Sequence, residues 1–135
     1  MRKLINYIIS TFLTTIIYYL GGLDTALKTL LILMVLDYIT GICKSLVNKK
    51  INSIIGLKGI IKKVGYLIIV ALSVLLDGIV GDTGAIRNLV VYFFVANEGI
   101  SILENWGAIG LPLPQKIFDA LEQIKNEKGG KENGK

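Results

Sequence analysis

The sequence contains no histidine and a single cysteine, Cys43. A His/Cys zinc site, an internal disulfide, a histidine-based catalytic triad and a dithiol redox motif all need residues that are missing here. We therefore expect no catalytic residues, no cofactor and no metal. Cys43 is most simply a small buried apolar side chain, with palmitoylation as the alternative. Acidic residues are also missing from residues 44–63, although this segment contains six lysines.

Hydrophobic residues make up 53% of the 135-residue chain, and its mean hydropathy is +0.63. Such a composition is typical of membrane proteins and rare among soluble domains. The net charge of +5 comes from lysines concentrated between hydrophobic runs, not spread over one face of a compact domain. This pattern favours anionic lipid over nucleic acid as the partner.

Four apolar runs predict an all-α integral membrane protein with transmembrane helices at about residues 4–22, 25–43, 57–80 and 88–106. Residues 4–23 carry no charge and can cross about 30 Å of hydrocarbon at about 1.5 Å per residue. This first run is the clearest span, and it exceeds the apolar region of about 7–15 residues in a signal peptide. The fourth run, which Arg87 begins with a side chain that can reach the headgroups, is shortened by Glu98 and Glu104. Three spans, with the last helix at the membrane surface, remain the alternative.

The segment after the fourth run predicts a short amphipathic helix. Pro112 and Pro114 stop the preceding helix, and residues 112–128 form a predicted cytoplasmic segment after a membrane domain of residues 1–111. The final residues 129–135 have no apolar content and should be disordered. One face of the amphipathic helix would carry Ile117, Phe118, Leu121 and Ile124.

Lysines between the second and third runs predict the topology. Short loops rich in lysine stay cytoplasmic, and counting the other loops then places both chain ends in the cytoplasm, with Asp24 and Asp82 outside. Ser53 can cap a helix that approaches the third span along the interface, and a plain solvated loop is the alternative. This basic segment contains Lys44, Lys49, Lys50, Lys58, Lys62 and Lys63.

Polar residues interrupt the apolar runs at helical spacing. In the fourth run they recur at intervals of three and four and form one stripe on a helix. Carboxylates facing hydrocarbon cost at least about 2.5–3.5 kcal/mol each at mid-depth, so the stripe needs partners or water. It either packs against neighbouring helices near the headgroups or lines a water-filled lesion. Its members are Asn97, Glu98, Ser101, Glu104 and Asn105.

The second and third runs add polar positions of the same kind. An unpaired Asp37 would either become protonated or pair with a cation, for which Lys44, two turns further along the same helix, is a local candidate. Thr40 and Gly41 favour close helix approach over ion conduction. The complete candidate set for helix packing or a pore is Asp37, Thr40, Gly41, Ser73, Asp77, Asn97, Glu98, Ser101, Glu104 and Asn105.

Two stretches carry a resemblance to a known family. INSIIGLKGIIKKVGYLIIVALSVLLD (residues 51–77) and VVYFFVANEGISILENWGAIGLPLPQKI (residues 90–117) strongly resemble the phage holin family linked with toxin secretion and phage lysis. NEGISILEN followed by G-x-P-x-P is the most specific signal, and the resemblance covers residues 36–123. The positions that match the family pattern are Asp37, Gly41, Gly59, Lys62, Lys63, Asp77, Glu98, Ser101, Glu104, Asn105, Pro112 and Pro114.

The resemblance implies a non-enzymatic protein that accumulates in the bacterial host's cytoplasmic membrane as a homo-oligomer. It would open lesions that release an endolysin or, in some relatives, a toxin. The next methionine is Met34, so a second start that yields an inhibitor is not indicated. The alternative class is a structural subunit or small transporter whose polar stripes meet inside one closed bundle. An enzyme using Glu98 and Glu104 as paired carboxylates would lack a metal, a phosphate loop and a nucleophile.

Overall fold

The computed structural model describes residues 1–81 and 83–128, which form five helices and, within these ranges, no strand. The expectation of an all-α membrane protein is confirmed. The predictions for the turn at Asp82 and for residues 129–135 lie outside the described residues. The helices are α1 (Arg2–Tyr19), α2 (Thr25–Val47), α3 (Ser53–Val80), α4 (Ala85–Ala108) and α5 (Gln115–Lys128).

Three helices, α2, α3 and α4, are long and apolar enough to cross a membrane, with mean hydropathies of 1.9, 2.1 and 1.3. The last of these includes the run that the sequence ranked as the weakest span. By contrast, α1 is not among the three. Its 18 residues include Arg2 and Lys3, and its uncharged part, residues 4–19, is only about 24 Å long. The turn predicted at Gly21 and Gly22 is present, with φ of 81° and 90°, and α1 ends at Tyr19, three residues before the predicted bound of about residue 22.

The other helix ends follow from local capping. Asp24 precedes α2, and its carboxylate accepts a hydrogen bond from the Leu27 amide at 2.9 Å. The long third helix begins four residues earlier than predicted, and Asn52, not Ser53, is its cap, accepting from the Ile54 amide at 2.9 Å. The predicted helix from Ser53 toward the third span is present as the first part of α3, and the basic segment consists of two helix ends joined by a turn at residues 48–52, which we call the basic turn.

The core of the bundle joins α2, α3 and α4, with α4 packed against both of the others. Tyr66 of α3 stacks on Phe94 of α4 with ring centroids 4.0 Å apart. Apolar side chains on the outer faces of α2 and α3 are exposed, as they would be when facing lipid. The core cluster consists of Leu20, Leu27, Leu30, Met34, Tyr66, Val70, Val91 and Phe94.

The two terminal helices differ in how they pack. No residue of α1 is buried, whereas α5 folds back along α4 so that Leu121 lies over Gly99. A Cβ at position 99 would lie 2.8 Å from Leu121 Cδ1, so any larger residue there would force the Leu121 side chain to shift. Phe118 and Leu121 are half-buried there. Ile117 and Ile124, which were predicted to share that face, are exposed.

Candidate functional site

A polar network connects the three central helices inside the bundle. The Lys63 ammonium of α3 lies 2.7 Å from Asp37 Oδ2 of α2 and also forms an ion pair with Glu98 Oε2 of α4. Side-chain exposure is 12% for Lys63, 16% for Asp37 and 0% for Glu98. Buried charges are stable only when paired. Here α3 supplies the cation, and α2 and α4 each supply a carboxylate.

Asn105 extends the network along α4. Its Nδ2 donates to Asp37 Oδ1 at 3.1 Å and to Thr40 Oγ1 at 3.2 Å, and its Oδ1 accepts from Lys44 Nζ at 3.4 Å. The interpretation of Lys44 as the partner of Asp37 is therefore wrong, because the ion pair of Asp37 is with Lys63. We call Asp37, Lys63, Glu98 and Asn105 together the three-helix polar network.

The sequence assigned Lys63 to the basic segment and missed its place in the network. A signal was present, since Lys63 begins the series Lys63, Tyr66, Val70, Ser73 and Asp77, spaced by three and four residues. Except for the half-buried Lys63, all of these residues are buried. Positions with this spacing form one helix face, which here is the face of α3 toward the bundle interior.

One atom of the network has no partner among the described residues. Glu98 Oε1 is buried and accepts no hydrogen bond there, while Oε2 is held by Lys63. A buried carboxylate oxygen without a donor costs free energy that water would restore. The closed bundle therefore accommodates the network but leaves Glu98 Oε1 without a hydrogen bond from the described residues.

The five polar residues predicted to form one stripe on the fourth run lie in different environments in the structure. Glu98 and Asn105 are buried toward α2 and α3, and Ser101 is half-buried between them. Asn97 instead donates to the Tyr66 hydroxyl at 2.6 Å. Glu104 is exposed, because six residues after Glu98 a helix has turned well away from the buried face.

A second polar cluster lies at the opposite end of the bundle from the basic turn. Asp77 accepts hydrogen bonds from the backbone amides of Ile86 at 3.1 Å and Arg87 at 2.8 Å, so it caps α4. Ser73 donates to the Val70 carbonyl within its own helix, at 2.6 Å. Neither Ser73 nor Asp77 takes part in the three-helix polar network, although the sequence placed both in the candidate set for helix packing or a pore.

Arg87 organises this second cluster, although the sequence suggested that it points to the headgroups. Its side chain is buried and donates to the Leu20 carbonyl at 3.0 Å and to Asp24 Oδ1 at 3.1 Å. The hydrogen bond from Arg87 holds the pKa of Asp24 below its ordinary value. We call Asp24, Asp77 and Arg87 the Arg87 cluster, and it joins the α1–α2 turn to α3 and α4.

The basic segment is mostly exposed. Lys49, Lys50, Lys58 and Lys62 are exposed, and Lys62 Nζ lies 5.4 Å from the centroid of the Tyr66 ring. Cys43 is also exposed, so its interpretation as a buried side chain is wrong. Of the predicted polar set, the structure thus brings together Asp37, Thr40 and Asn105 and leaves Glu104 apart. Two lysines outside that set, Lys63 and Lys44, contact Asp37 and Asn105.

Long apolar helices joined by a buried charge network define the chain as a multi-pass helical membrane protein. The chain belongs to the bacteriophage holin family, whose profile matches residues 14–126. A probable holin of Bacillus phage phi105 is 33% identical, with 81% of each chain covered. A 14.9 kDa protein from the nagH 3′ region of Clostridium perfringens is 42% identical over 95% of this chain and all of its own. No solved structure matches.

Proposed function

We propose that the chain is a holin that oligomerises in the cytoplasmic membrane of a bacterial host and forms lesions that release an endolysin or a toxin. The observation that carries the proposal is the three-helix polar network inside the apolar part of the bundle. Family membership and a fold of membrane helices point to a protein without enzyme activity. The proposed activity is therefore the opening of the bilayer by these helices.

The depth of the network supports this function. At about 1.5 Å per residue, Asp37 lies about 20 Å along α2 from Asp24, and Glu98 lies about 17 Å along α4 from Arg87. With the Arg87 cluster at one headgroup boundary of a hydrocarbon core about 30 Å thick, the network lies in the half of the hydrocarbon nearer the basic turn, which α5 also enters where it packs on Gly99. A charged group at that depth is stable only when paired or hydrated.

Pairing and hydration define two states of the same helices. In a single copy Lys63 pairs with both carboxylates, so α2, α3 and α4 present apolar surfaces to lipid. When many copies accumulate, separation of these helices would turn the network toward water and provide a donor for Glu98 Oε1. A polar interior shared by several copies would then form the lesion wall.

Induction in bacteria tests the proposal. Growth should stop and the membrane potential should collapse at a defined time. Co-expression with a cytoplasmic endolysin that has no export signal should lyse the cells, whereas the endolysin alone should not. Loss of potential without release of a large cytoplasmic enzyme would indicate small pores instead of wide lesions. An intact potential at high membrane abundance would reject the holin function.

The topology is part of the proposal. We place the basic turn and both chain ends in the cytoplasm, with Arg2 and Lys3 reaching the headgroups so that the short α1 can cross. A reporter fused before Met1 should be active only in the cytoplasm. Activity on the outer side would leave α2, α3 and α4 as the only spans and α1 outside.

A further inference from the structure

A cleft opens between α2 and α3 next to the basic turn. Its volume is about 540 Å³, within the range of about 300–1,000 Å³ typical of ligand sites. The two helices contact each other little, and Ser101 and Asn105 of α4 also line the space between them. Most of the lining is apolar and includes Ile42, Leu46, Ile55, Leu57 and Ile60.

Glycines keep the cleft open. A Cβ at Gly56 would meet only the Tyr38 hydroxyl, at 3.9 Å, and a Cβ at Gly59 would meet no described atom within 4 Å. Asp37 and Lys63 also line the cleft, but they already pair with each other, and Lys63 pairs with Glu98 as well. The cleft itself therefore offers an apolar space whose polar groups already have partners.

Positive charge lies beside this apolar space. Lys49 and Lys50 are exposed and directly precede Ile51 and Asn52, which line the cleft. Their position is held by the left-handed backbone of Lys49, with φ of 53°, and by a 3.0 Å hydrogen bond from the Lys50 amide to the Ser45 carbonyl. The backbone that carries the two lysines is thus fixed next to the cleft.

We propose that the cleft binds an anionic phospholipid, with an acyl chain between α2 and α3 and the phosphate at Lys49 and Lys50. Basic pockets between membrane helices on the cytoplasmic side bind anionic headgroups in this way. A second copy fits less well, because its own basic turn or its Arg2 and Lys3 would meet like charge. The site rests on α2 and α3 lying in the membrane and is independent of lesion formation.

Lipid retention tests the site in the full-length protein. The chain is reconstituted into vesicles that mix phosphatidylcholine and phosphatidylglycerol, extracted in mild detergent, and its bound lipid is identified by native mass spectrometry. We expect retention of phosphatidylglycerol over phosphatidylcholine. K49Q/K50Q should lose about tenfold or more of this preference, because each lysine near a membrane surface contributes about 1 kcal/mol.

Matched variants separate a built site from general attraction. K116Q/K125Q removes the same charge from two lysines of α5, a helix that does not line the cleft, and should keep the preference. Gly56→Leu fills the cleft and should abolish retention, whereas Gly65→Leu, whose Cβ meets no described atom within 4 Å, should not.

Three outcomes would overturn the proposal: equal retention of both lipids, an equal loss in the two lysine variants, or retention unaffected by Gly56→Leu. Cross-linking of two copies through the cleft, with no retained lipid, would assign it to a second copy instead. Retention is measured without lysis, so a chain that retains no lipid could still form lesions. A chain that forms no lesions should still retain phosphatidylglycerol.

Discussion

Replacing Lys63 with methionine should reveal how much the three-helix polar network stabilises the bundle. Lys63 is the cation that pairs with both Asp37 and Glu98, so Lys63→Met leaves the buried Glu98 carboxylate and the half-buried Asp37 carboxylate without a counterion. Breaking a buried ion pair in this way costs about 3–5 kcal/mol. A loss of that size is comparable to the total stability of many domains and should lower membrane abundance several-fold.

The triple variant K63M/D37N/E98Q provides the control. It removes all three charges together, and replacing a whole buried ion pair by neutral groups is often close to neutral for stability. Membrane abundance and protease resistance should therefore return toward those of the wild type, while lysis onset, measured on the same cultures, should be delayed or lost. An abundant K63M single variant would refute the reasoning about stability. A triple variant that lyses on time would show that the network acts in packing alone.

Three further perturbations test other parts of the structure. Glu98→Gln should change lysis onset at unchanged membrane abundance, whereas Glu104→Gln, at an exposed position, should change neither; equal effects would contradict the separation of the two glutamates. The Asp24–Arg87 pair stabilises the fold above the ordinary aspartate pKa of about 3.9 and loses this contribution as pH falls through the lowered pKa of Asp24. Asp24→Asn should therefore flatten acid unfolding followed by circular dichroism, and an unchanged pH profile would argue against the pair. Gly99→Leu should displace α5 and make it sensitive to protease without reducing insertion, and a protected α5 would show that the close approach is not needed.

The sequence predicted the helical class well because hydropathy and helix periodicity act over whole segments. Apolar runs located α2, α3 and α4, and the spacing of Glu98 and Asn105 indicated a buried polar face. It predicted the turn at Gly21 and Gly22 but ranked α1 as the clearest span, because a run without charges does not reveal how many of its residues are helical.

Partner choice was the part that sequence could not supply. The sequence places one lysine on the helix of Asp37, Lys44, and another on a neighbouring helix, Lys63. Only the packing of α2 and α3 on α4 selects Lys63 as the partner of Asp37. Charged residues near the ends of runs are also ambiguous, since Arg87 could turn outward to headgroups or inward to Asp24 and the Leu20 carbonyl. Tertiary geometry decides such cases.

The chain order of the polar network has a consequence for biosynthesis. Asp37 leaves the ribosome first, Lys63 follows on the next helix, and Glu98 arrives last, on the least hydropathic of the three candidate spans. A helix that carries a carboxylate enters the bilayer poorly by itself, because the insertion machinery senses the cost of the charge. With Lys63 already in the membrane, α4 would meet its counterion as it leaves the translocon. Insertion of α4 should therefore depend on the helix made before it, and a nascent chain that lacks α3 should leave α4 outside the bilayer.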